Sequence, residues 1–119
     1  MINQSIRDNI NKYSPMRFKW GVMDCCQFVA KVLGINHEYE YSSEEEANKI
    51  ISGFGGMVGF ISHILNRRPG AYGIGDPVVI EINDKSFCGI NLNNGVIVKS
   101  KSGVIEIDKE YITAGWSCG

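Results

Sequence analysis

The chain has 119 residues, of which 44% are hydrophobic and 21% charged, and its formal net charge is -1. That length suits a single domain, residues 1–119, with a core of its own. The near-neutral balance excludes a nucleic-acid clamp, which needs a clear Lys/Arg excess, so no nucleic-acid partner is expected.

No apolar run approaches the roughly 18 residues of a membrane span, so no membrane partner is expected either. The opening residues lack the basic-then-apolar layout of a secretion signal.

Read in chain order, Ile2, Ile6, Ile10 and Tyr13 recur at helical spacing and predict an amphipathic helix over 2–13. Pro15 ends it, because the residue before a proline avoids helical angles. A short aromatic approach follows, with Phe18 and Trp20. Asp24 is placed to cap a helix over 25–33, whose apolar face is Phe28, Val29, Val32 and Leu33 and whose stop is Gly34.

A polar-aromatic connection carries His37, Tyr39 and Tyr41. Ser42-Ser43-Glu44-Glu45-Glu46 then reads as a capping box opening a helix to about Ser52. The three glutamates suit the positive end of that helix and need no acidic function. Gly53, Gly55, Gly56 and Gly59 lack the spacing of a phosphate loop and read as a turn into a short apolar helix over 57–65. His63 falls there as a partly exposed helix histidine.

From Gly75 the texture becomes strand-like, over 77–82, 86–92, 95–99 and 104–107. The separators are Asn83-Asp84, Asn93-Asn94-Gly95 and Ser102-Gly103, with Asn94-Gly95 the strongest hairpin signal. Ile112 and Trp116 close the chain as a short piece packing on the core. Helices first and antiparallel strands after imply an α+β fold, helices on one face of a meander sheet.

Four cysteines, Cys25, Cys26, Cys88 and Cys118, and two histidines, His37 and His63, remain for chemistry. No C-x-x-C pair occurs, and neither histidine stands at zinc-ligand spacing, so no metal or cofactor is expected. Cys26 and Cys88 read as small buried hydrophobes, and Cys118 as part of a frayed end. Cys25 differs, because it stands at the first turn of a helix. Free amides and the helix dipole there favour thiolate over thiol, the usual way to make a cysteine nucleophilic.

The stretch Trp20-Gly21-Val22-Met23-Asp24-Cys25-Cys26-Gln27-Phe28-Val29 resembles the nucleophile motif of NlpC-type, papain-like cysteine peptidases, G-x-x-D-C-S-G-F-V in general form. Downstream, Gly75-Asp76-Pro77-Val78-Val79-Ile80 resembles their G-D-h-V-h-F, and Phe87-Cys88-Gly89-Ile90-Asn91-Leu92-Asn93-Asn94-Gly95 their H-V-G-I-Y-L-G-N-G. The likeness runs from about Trp20 to Ile107. It is nearest in kind to the small NlpC-like domains encoded among phage tail genes, which often open with W-G-x-x-D-C-C.

The resemblance implies a papain-like fold with Cys25 as nucleophile and Asp24 as its helix cap. It also puts Phe87 where the catalytic histidine is expected, and phenylalanine cannot accept a proton. Moving the register by one would offer Cys88 instead but would flip the faces of the strand.

The expectation is therefore a catalytically degenerate NlpC-like domain. It would act as a structural or protein-binding component of a phage or prophage-derived tail, with other tail proteins as partners and the virion tail as location. The alternative is an active peptidase or amidase on peptidoglycan peptides, with His63 or His37 as a relocated base and backbone amides, including that of Cys25, as part of an oxyanion hole. Exposed aromatics such as Tyr39, Tyr41 and Tyr72 are candidates for an interface.

Overall fold

Local caps determine where the helices begin. In the computed structural model, which describes residues 3–118, the first helix, α1, spans Gln4–Tyr13. The Asn3 side chain accepts the Ile6 amide at 2.8 Å. Ile2, expected within this helix, lies outside the described residues. Ile6, Ile10 and Tyr13 face the core.

The second helix, α2, spans Cys25–Leu33, is capped by Asp24, and ends at Gly34 in the left-handed conformation. Phe28 and Val32 are almost wholly buried along it. In α3, Glu44–Gly53, the Ser43 hydroxyl accepts the Glu46 amide at 3.1 Å. The Glu46 carboxylate reaches back to the amide of Ser42, one residue before the cap. α4, Met57–Leu65, buries Met57, Phe60 and Ile61. No helix among the described residues is long and apolar enough to cross a membrane.

Five strands follow: β1 Pro77–Ile82, β2 Lys85–Asn91, β3 Val96–Ser100, β4 Gly103–Ile107 and β5 Ile112–Gly115. They form one antiparallel sheet in the order β4-β3-β2-β1-β5. The fold is α+β, as the segregation of helices and strands implies.

The C-terminal piece is more than a packing segment, since its first residues are a strand hydrogen-bonded to β1. Trp116, just beyond it, is fully buried, and its indole N–H donates to the Ser62 hydroxyl on α4 at 3.2 Å.

The tight left-handed turn lies at Asn83-Asp84, with φ of 52° and 64°, and joins β1 to β2. Gly95 closes the turn from β2 to β3, where its carbonyl accepts the Leu92 amide at 2.9 Å, and it has a steric role as well. A Cβ there would lie 2.8 Å from both the Ile107 carbonyl oxygen and the Glu106 Cγ, so glycine permits close approach to β4.

One face of the sheet packs Val79, Cys88, Ile90 and Ile97 against the helices. The other carries Val78, Ile80, Val96 and Val98, with Phe87, Ile107 and Ile112 beside them. The register then creates an opening. β1 and β2 pair along their whole length, as do β3 and β4. β2 and β3 pair only at Ile90↔Ile97 and Asn91↔Val96. Beyond those two pairs the hairpins diverge, and the gap between them positions the site.

Candidate functional site

The divergence leaves a cleft of about 710 Å³ between the β1–β2 and β3–β4 hairpins. Cys25 lines it at the start of α2, with Phe87 on β2 and Val98 on β3. Phe18 and Trp20, packed edge to face at 5.0 Å, form part of its wall. The structure thus brings together Cys25 and Phe87, the two residues the sequence paired as nucleophile and missing base. Cys88 faces the helices instead, opposite Val79, so Phe87 rather than Cys88 is turned to the cleft, with Lys85 further along β2 also lining it.

Asp24 organises the approach to Cys25. Its carboxylate is 1% exposed and accepts three hydrogen bonds. Oδ1 takes the Gln27 amide at 2.8 Å, while Oδ2 takes the Gly21 amide at 2.9 Å and the Tyr41 hydroxyl at 2.7 Å. A buried carboxylate is tolerable when its lone pairs are used in this way. One side chain therefore ties the preceding turn, the connection after α2 and the helix start together.

Gly21 completes this arrangement with φ of 78°, and a Cβ there would lie 1.8 Å from the Tyr41 carbonyl oxygen. The G-x-x-D spacing thus has a structural cause in this chain.

The surroundings of Cys25 oppose the thiolate that a helix start favours. Its pKa is raised well above the ordinary thiol value, first by the hydrogen bond with the Cys26 thiol, then by burial, then by nearby charge including that of Asp24. The Cys88 backbone amide pulls the other way but does not prevail. A helix N-terminus favours an anion by only about 0.3–1 kcal/mol, rarely about 2, and here the Cys26 hydrogen bond and burial both act against it. The helix end is also already occupied by the Asp24 carboxylate.

Neither histidine lines the cleft. His63 is exposed on α4 and packs on Phe54 with ring centroids 4.5 Å apart. His37 accepts the Tyr39 amide through Nδ1 at 3.3 Å and lines a separate small cavity with Cys26, Tyr41 and Cys88. Burial lowers its pKa.

The aromatic residues also divide. Tyr72 is exposed, but Tyr39 is half-buried against Phe54 and Phe60, and Tyr41 is half-buried on Asp24, its phenol pushed up chiefly by burial. Those two are structural, because their polar or aromatic contacts are made within the fold.

Lys99 carried no signal in the sequence. It is 2% exposed, lines the cleft, and donates from Nζ to the carbonyls of Ser14 and Met16. It anchors the chain after α1 to β3. Among the described residues no group of three or more His, Cys, Asp or Glu is arranged to hold a metal ion.

A family model described as "Domain of unknown function (DUF6950)" matches residues 2–118. No curated protein matches the chain, and no solved structure does. The match spans nearly the whole sequence, and the chain belongs to the DUF6950 family.

Proposed function

We propose that this chain is a catalytically degenerate, papain-like relative of NlpC-type peptidases whose cleft serves binding rather than hydrolysis. The single observation that carries this reading is that Cys25 and Phe87 line one cleft, with no histidine among its lining residues. A cysteine peptidase needs a base within hydrogen-bond reach of the sulfur, and a phenyl ring supplies none. The raised Cys25 pKa supports the same reading, since it keeps the sulfur protonated at neutral pH. The apolar walls, with Ile80, Ile82 and Ile105 beside the aromatic residues, suit a protein or peptide contact.

By the sequence resemblance, the setting is a phage or prophage-derived tail, and the partners are other tail proteins. The test is digestion of purified peptidoglycan by the chain and by Cys25→Ala, followed by the release of free amines. The proposal expects equal, background release from both. Release that depends on Cys25 would overturn it in favour of an active peptidase or amidase.

A further inference from the structure

Cys25 and Cys26 are neighbours in sequence but serve different spaces. Cys25 lines the cleft, whereas Cys26 lines a separate small cavity of about 20 Å³. Cys88 lines that same cavity from β2. Both belong to the core cluster in which α2 packs on the sheet. Cys26 is half-buried, and its Sγ lies 3.7 Å from the Met57 sulfur. Cys88 is 1% exposed. Cys26 is thus the partly exposed member of the pair and Cys88 the buried one. All four cysteines are free thiols here.

We propose that Cys26 and Cys88 are a redox-active pair that a small-molecule disulfide, such as oxidised glutathione, converts into a bridge between α2 and β2. The chemistry balances in two exchanges. The Cys26 sulfur, on losing its proton, attacks one sulfur of the oxidant, forming a mixed disulfide and releasing one glutathione thiol. The Cys88 sulfur then attacks the Cys26 sulfur, closing the bridge and releasing the second. Two protein thiols are oxidised and one small disulfide is reduced.

The Cys26 thiol is lowered by its hydrogen bond with Cys25 but raised more by the Cys88 thiol and by burial, so exchange quickens as pH rises. Cys25 and Phe87 each stand one residue from the bridge. Closing it would tie together the two elements, α2 and β2, from which Cys25 and Phe87 line the cleft. The pair is independent of whether the cleft hydrolyses or binds.

The test incubates the folded, full-length chain with oxidised glutathione under native conditions, blocks free thiols and digests without reduction. Mass spectrometry should find the Cys26 peptide joined to the Cys88 peptide, lighter than their sum by two hydrogens and separable by dithiothreitol. The same bridge should form in Cys25→Ser and Cys118→Ser. In Cys88→Ser, with its fold checked by circular dichroism, a glutathione adduct should persist on Cys26. A wild-type chain in which Cys26 and Cys88 both remain alkylatable would overturn the proposal. So would a bridge that uses Cys25 or Cys118, and neither result depends on a variant folding.

Discussion

Asp24→Ala removes the acceptor for three donors at once. The first loss is the cap on α2, where the Gln27 amide sits 2.8 Å from the carboxylate; such caps contribute about 1 kcal/mol. The Gly21 amide and the Tyr41 hydroxyl then lose their partner in a place that is 1% exposed. Each buried donor left unpaired costs about 1–3 kcal/mol. Allowing water to reach part of the vacated space, the total is roughly 3–5 kcal/mol, a large share of the roughly 5–15 kcal/mol typical of a domain.

Asp24→Asn should be milder. Its carbonyl oxygen can keep the Gln27 bond, and the Tyr41 hydroxyl can turn to accept from the new amide. Only the Gly21 amide then faces another donor, at a cost of about 1–3 kcal/mol. Urea unfolding followed by tryptophan fluorescence measures both variants, provided the m-values match wild type. An Ala variant within about 1 kcal/mol of wild type would refute this account of Asp24 as a three-way tie. An Asn variant as unstable as Ala would refute the assignment of the bonds.

Two further outcomes are expected. Gly21→Ala should be at least as damaging as Asp24→Ala, because φ is 78° and the added methyl would lie 1.8 Å from the Tyr41 carbonyl oxygen; soluble yield and thermal unfolding check this. Phe87→His should place an imidazole in the cleft with Cys25. When protonated it should lower the thiol pKa by about 1–3 units, raising Cys25 alkylation at neutral pH about tenfold or more; an unchanged rate would mean that position 87 does not face the sulfur.

The helices were legible because their signals are local. Asp24, Ser43 and Gly34 act within one turn of themselves, so sequence spacing and structure agree. β5 was missed as a strand because it is four residues long and owes its form to β1, more than thirty residues earlier in the chain. Asn94-Gly95 does mark a turn, the one joining β2 to β3, where the Leu92 amide donates to the Gly95 carbonyl at 2.9 Å; spacing alone did not show that Gly95 also answers a steric demand from β4. That demand is invisible without the neighbouring strand.

The site shows the same division. The motif spacing singled out Asp24, Cys25 and Phe87, and the gap between the hairpins brings the latter two to one cleft. The spacing showed only one of the influences on the Cys25 thiol. A helix start is a local feature, whereas burial, the Cys26 thiol and the Asp24 charge act only after the chain has folded. Lys99 ended an apolar run and gave no hint that it would be buried against carbonyls from residues 14 and 16.

The most direct measurement of the central claim is the pH profile of Cys25 alkylation, followed at that residue by mass spectrometry. A cleft without a base, with the sulfur held protonated, predicts a slow rate that is still climbing as pH passes the ordinary thiol value of 9.0. A fast rate already level near pH 7, the mark of a thiolate stabilised by a cationic partner, would contradict it.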